Sequence, residues 1–283
     1  MDKEGFIDII STDLEKRIGK HVVTEPLKKL GMTYTALSIY SRTSAAFNVD
    51  RAYEDYRNGR SLIEICDEAE GVLKTRPKSS NELLDAVLFF DEAKPRLFIR
   101  VCNYERNAEY LATVPHVQML DLAITFHLLL FRNNESEESI TVTDSLVYGW
   151  EVGLDTLLRE AKVSAERLYP ATLTNLSEVF GIKSEQPSNV MVLSNQHNVY
   201  GAATLLYRDT FDKLNSHFKE GCYLIPSSVH EIIAIDSRDA NASALIEILR
   251  VNNNDRNLIR EEDVLSDTLY FLDHTGLRRY SNA

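Results

Sequence analysis

Cysteine is scarce. Cys66, Cys102 and Cys222 stand far apart, each beside apolar neighbours, and no C-x-x-C occurs. That spacing excludes a zinc ribbon and the usual redox pair, so the three thiols read as small buried hydrophobes in a reducing compartment. Proline and glycine are also few, 7 and 11 in 283 residues, which argues against long flexible linkers. The longest apolar run, Met119 to Phe131, is interrupted by Asp121 and His127 and falls short of the roughly 20 apolar residues a spanning helix needs. The start, Met1-Asp2-Lys3-Glu4-Gly5, has no basic segment leading into an apolar one. No secretory signal is expected, and the chain is expected to be cytoplasmic.

Positive charge is lacking too. The net charge is −12, and no basic cluster is longer than a short pair such as Lys28-Lys29 or Arg278-Arg279. A grip on phosphates needs a basic stripe, so direct nucleic-acid binding is argued against. Scattered carboxylates suit a solvated surface. They also admit a sharper reading, in which the acidic surface stands in for nucleic acid in a partner's basic groove. G-x-G-x-x-G, G-x-x-x-x-G-K-[ST], G-x-S-x-G and H-E-x-x-H are all missing, which weighs against the common nucleotide-binding, esterase and zinc-protease designs. No cofactor is expected.

What is present is an ordinary globular composition, 44% hydrophobic and 26% charged. Phe6, Ile9, Ile10 and Leu14 recur at helical spacing. Residues 20–27 and 33–40 read as strands, and a helix from Asp50 to Arg57 stops at Asn58-Gly59. Ser61-Leu62-Ile63-Glu64 and Ser79-Ser80-Asn81-Glu82 are capping boxes, each opening a further helix. Residues 96–101 alternate as a half-buried strand does, 103–111 read as a short helix, and the run 119–131 is favoured as a buried strand. The polar break Arg132–Glu138 precedes a strand at 140–143, then helices at 150–162 and, with Pro170 at its first turn, 171–180. Beyond Pro187-Ser188-Asn189 comes strand 190–193, then a long helix with Tyr207, Phe211, Leu214 and Phe218 that stops at Gly221. Strands 223–225 and 232–235, a helix at 242–251, strand 269–272 and a hairpin at His274-Thr275-Gly276 complete the pattern. The expected fold is α+β, with two closely packed α+β parts, 1–131 and 188–283, joined through a mostly helical middle, 132–187.

Two polar constellations lie in apolar settings. The first is the turn Pro226-Ser227-Ser228-Val229-His230-Glu231. There His230 would serve as general base, Glu231 or Asp267 as its orienting carboxylate, and Ser227 or Ser228 as nucleophile. The bland alternative is a sharp turn tied by its own side chains. The second is His116, Asp121 and His127. On a strand, Asp121 and His127 would share a face and with His116 begin a metal site, the alternative being a satisfied buried His–Asp contact. Trp150 and the 13 tyrosines suit an interaction surface as well as a core.

The stretches VMVLSN, YGAATLLY, YLIPSSVHEIIAI and EEDVLSDTLYFLD, spanning Val190 to Asp273, resemble in order and spacing an uncharacterised bacterial family common in gut Clostridia and partly associated with mobile elements. Upstream, CNYERNAEYLATVPH, VPHVQMLDLAITFHLLL, Trp150 and NVDRAYEDYRNGRSLIEI resemble it too. The resemblance is most specific at Pro226–Glu231 and at Leu265–Asp267, and it implies no assigned activity. The expectation is a non-enzymatic regulatory or interaction protein that binds another protein, for example as an acidic inhibitor of a nucleic-acid-handling one. The alternative is a hydrolase built on the Pro226–Glu231 turn and Asp267.

Overall fold

The structure is a computed structural model, and it describes residues 1–29, 32–39, 46–74, 87–133, 137–179, 181, 188–226 and 228–281. The second capping box, Ser79–Glu82, and Ser227 lie outside the described residues. The chain divides into two compact units, Met1–Leu83 and Leu84–Ala283.

In the first unit, strands β1 (Val22–Lys29), β2 (Met32–Ile39) and β3 (Ala46–Asn48) form an antiparallel sheet in that order. Helices Lys3–Ile18, Val49–Arg57 and Leu62–Lys74 bury Phe6, Ile10, Leu14, Ala52, Ile65 and Leu73 with Leu37 and Phe47 of the sheet. The helix ends follow local chemistry. Asp2 caps the first helix by accepting from Gly5 N, and Gly19 closes it in a left-handed conformation, φ 69°. The Ser61–Glu64 box forms reciprocally: Glu64 Oε2 accepts from Ser61 N at 3.0 Å, and Ser61 Oγ accepts from Glu64 N at 3.3 Å.

The second unit holds two antiparallel sheets. In the smaller one β6 (Leu122–Arg132) runs through the middle, with β4 (Leu97–Asn103) on one side and β5 (His116–Met119) and β7 (Glu137–Thr141) in succession on the other. The apolar run of the sequence is therefore the central strand, nearly all of it buried. The larger sheet has the order β13-β12-β10-β11-β9-β8, made of β8 (Ala171–Asn175), β9 (Val190–Asn195), β10 (Cys222–Ile225), β11 (Ile232–Asp236), β12 (Tyr270–Asp273) and β13 (Gly276–Arg279). Its strands alternate cleanly. Leu224, Ile232, Ala234, Tyr270 and Leu272 enter a core shared with the smaller sheet and with Leu157, Ala161 and Ala165 of helix Leu154–Leu168. Tyr223, Ile225, Ile233 and Ile235 turn the other way, under Leu245 and Leu249 of helix Ala242–Asn254.

Two elements depart from the sequence reading. Ala171–Asn175 is a strand rather than the start of a helix, since Thr172 and Thr174 favour pairing with β9; among the described residues the helical part is Leu176–Val179. The middle segment is mostly helical, through Asp144–Gly149, Leu154–Leu168 and Leu176–Val179, and it also supplies β7 and β8 to the two sheets. The long helix before Gly221 is divided into a 3₁₀ turn, Gly201–Leu206, and a helix, Thr210–His217.

Candidate functional site

The two stretches of most specific resemblance meet in space. Ser228 forms a β-bridge with Val264, Val229 N donates to Asp263 O at 2.9 Å, and Ser266 N donates to Pro226 O at 2.9 Å. This junction is then fastened to the smaller sheet. Asn103 Nδ2 donates to Leu265 O at 3.1 Å, and Arg106 Nη2 to Asp267 Oδ2 at 2.7 Å. From the other side, Asn253 Nδ2 donates to Ser266 O and to Asp267 Oδ1. Burial pushes the Asp267 carboxyl up, but the bonds from Asn253 and Arg106 outweigh it and hold the group below its ordinary range.

His230 meets a carboxylate, though neither of those expected. Its Nε2 lies 3.3 Å from Asp263 Oδ1, while Nδ1 accepts from Tyr200 N at 3.2 Å. A backbone N–H can only donate, so Nδ1 carries the lone pair and Nε2 the proton. Among the described residues no hydrogen bond or ion pair joins His230 to Glu231 or Asp267, and Glu231 is exposed. Ser228 Oγ accepts from His230 N at 3.0 Å, tying the turn.

The pinning of Tyr200 has a steric counterpart. Tyr200 sits at φ 52°, a left-handed conformation uncommon for a bulky residue. The next residue, Gly201, has no room for a side chain, because a Cβ would fall on Ser194 Oγ and on the His230 carbonyl. Ser194 Oγ itself donates to His230 O at 2.8 Å.

Asp121 is not on a strand. It occupies the two-residue hairpin turn between β5 and β6, after Leu120 at φ 57°, so the shared face with His127 does not arise. Its carboxylate instead receives three hydroxyls: Ser266 Oγ at 2.5 Å, Thr268 Oγ1 at 3.0 Å and Tyr270 Oη at 2.7 Å. His116 Nδ1 donates to Val114 O at 3.0 Å, and His127 Nε2 lies 3.0 Å from Thr125 Oγ1. Among the described residues no group of three or more His, Cys, Asp or Glu is arranged to hold a metal ion. Burial pushes the Cys102 and Cys222 thiols up to about 12 and that of Cys66 to about 11, so none is a thiolate at neutral pH.

Two further features escaped the sequence reading. The first is a polar face on the smaller sheet. Strand pairing sets Arg100 opposite Thr125, and His127 opposite both Phe98 and Thr141, so these side chains share one face. Arg100 lies with its guanidinium carbon 3.9 Å from the Tyr200 ring centre and donates from Nη2 to Ser139 Oγ at 3.1 Å. Tyr110 Oη donates to Thr141 Oγ1 beside it. The second is an apolar display around Trp150. Trp150 Nε1 donates to Val87 O at 3.0 Å and its ring lies against Phe90, which brings two segments together. Both turn large apolar side chains to solvent: Leu88 is 53% exposed, Phe89 59% and Tyr148 87%. The same segments carry the exposed carboxylates Asp91, Glu92, Asp144, Glu151 and Asp155, of which Asp91 pairs with Lys94.

Among the described residues no helix is long and apolar enough to cross a membrane. No curated protein and no solved structure matches the sequence. A family model does, over residues 3–274, and by that match the chain belongs to the family of unknown function DUF5688.

Proposed function

We propose that the protein works by binding a protein partner through the surface around Trp150. The supporting observation is the exposure of Leu88, Phe89 and Tyr148 on two segments that meet at a buried tryptophan. Large aromatic side chains held out to water from a rigid base are the usual anchors of an interface. The carboxylates on the same segments specify the partner's chemistry: an apolar pocket flanked by lysine or arginine. Such a partner fits the role of an acidic inhibitor of a protein that handles nucleic acid.

The hydrolase reading draws on the His230–Asp263 pair but lacks a free base. In a catalytic pair the second ring nitrogen takes the nucleophile's proton. Here that lone pair is engaged by Tyr200 N–H, and both Ser228 and Ser194 hold the backbone of His230. These groups support a positioning role.

A photo-crosslinking residue at position 148, expressed in the native host, tests the proposal, with one at the exposed Leu258 as control. The expected result is an adduct at 148 that is absent at 258, disappears with Phe89→Ser and weakens as ionic strength rises. Equal labelling at both positions, or labelling indifferent to Phe89→Ser, rejects it.

A further inference from the structure

Arg100 poses a problem that the binding proposal leaves unsolved. It sits in the middle of β4 on the polar face, half-buried, in a chain with 43 acidic and 31 basic residues. Yet among the described residues no carboxylate pairs with it, whereas Arg106 and Arg132 each hold one at 2.7 Å. Its Nε is buried and has no hydrogen-bond partner among the described residues. Its neighbours offer no negative charge: Ser139, the Tyr200 and Phe98 rings, and His127, which burial and Arg100 itself keep neutral. An uncompensated guanidinium with a buried unpaired N–H is costly and calls for an anion.

The surroundings are built to hold that guanidinium still. Nη2 is fixed by Ser139, and the Tyr200 ring covers one face at 3.9 Å. Tyr200 is in turn set in a strained backbone by His230 Nδ1, His230 is braced by Asp263, and Gly201 lets its segment approach Ser194 and His230. The signature turn and Asp263 thus converge on the placement of one aromatic ring over one arginine.

We infer that Arg100, Ser139 and Tyr200 form a seat for a small oxyanion, a carboxylate or phosphate group, whose oxygens accept from the Nε–Nη2 edge of the guanidinium. The forked geometry of that edge matches two oxygens on one centre. His230 and Asp263 are positioning residues, acting through Tyr200.

The test follows the Arg100 Nε–H resonance of the ¹⁵N-labelled full chain during titration with inorganic phosphate and, separately, with acetate, against chloride at equal ionic strength. A saturable shift with phosphate alone assigns a tetrahedral ligand, with acetate alone a planar one, and with both a seat for either; each supports the site. Arg100→Lys, which keeps the charge and loses the fork, should weaken binding about tenfold or more. Asp263→Asn should weaken it less and move the Tyr200 ring signals. An Nε resonance unmoved by both anions overturns the inference on the wild-type protein alone, and so does equal affinity in Arg100→Lys.

Discussion

Replacing Asp121 probes how the second unit is held together. The substitution Asp121→Ala strips one acceptor from three hydroxyls: Ser266, Thr268 and Tyr270. Hydrogen bonds to a charged acceptor contribute about 1.5–3 kcal/mol each, and a buried donor left alone costs about 1–3 kcal/mol. The three donors are not equal. Tyr270 is fully buried and burial pushes its hydroxyl pKa up, so its proton stays to donate and loses its charged acceptor in the variant. Ser266 and Thr268 rotate towards other acceptors, and the Asp121 side chain is 16% exposed, which admits water. The net loss is therefore about 3–4 kcal/mol, a large share of the roughly 5–15 kcal/mol that stabilises a domain. Asp121→Asn keeps one oxygen acceptor and should lose about 1–2 kcal/mol. Urea unfolding followed by Trp150 fluorescence reports this unit alone, since Trp150 is the single tryptophan and is 7% exposed. In a double-mutant cycle, Asp121→Ala and Tyr270→Phe should couple by about 1–2 kcal/mol. An Asp121→Ala loss below about 0.5 kcal/mol, or strict additivity with Tyr270→Phe, refutes the reasoning.

Two further perturbations address the polar face and its support. His127 is buried and its pKa is lowered well below the ordinary value, by burial first and by Arg100 second. The unfolded chain then binds the proton first as pH falls past about 6.5, so stability is full above that value and declines below it, by at most about 1.4 kcal/mol per pH unit. The slope of unfolding free energy between about pH 7 and pH 5 should flatten in His127→Leu by up to one proton's worth; an unchanged slope contradicts a neutral buried His127. Gly201→Ala forces a methyl onto Ser194 Oγ and the His230 carbonyl, and should cost about 2–3 kcal/mol while displacing Tyr200 from Arg100, which urea unfolding and the Tyr200 ring signals would record. Wild-type stability with an undisturbed ring would show that the close approach is not needed.

Much of the architecture is legible in residue pattern, and the failures have physical reasons. Residues 96–101 read as a strand and β4 forms there, though buried on both faces rather than half-buried, and the dense apolar run before Phe131 is buried because it is a central strand paired on both sides. The Ser61–Glu64 box forms as its spacing requires. Residues 171–175 misled because Leu173 and Leu176 lie three apart, as on a helix, while the contrary signal is only the two β-branched threonines. The polar stretch Arg132–Glu138 suits a domain break as well as a tight connection, and here Arg132 and Glu137 pair across the strands β6 and β7. The site residues were partly visible. His230 stands out in the sequence, but its carboxylate, Asp263, lies more than thirty residues on and is delivered by backbone pairing at Ser228 and Val264. Asp121 is expected on a strand face it does not share, whereas its role comes from a turn that aims it at Ser266, Thr268 and Tyr270. In the sequence Arg100 is one polar step among aliphatic residues of a strand. The residues that make it unusual, Ser139 and Tyr200, reach it only through the assembled sheets.

The most direct test of the interaction proposal compares three forms of the full chain as bait in the native host: wild type, Phe89→Ser with Tyr148→Ser, and His230→Gln. The double variant should lose the partner seen with wild type, at unchanged urea stability, and His230→Gln should retain it. A partner kept by the double variant and lost by His230→Gln would contradict the account and move the function to the signature turn.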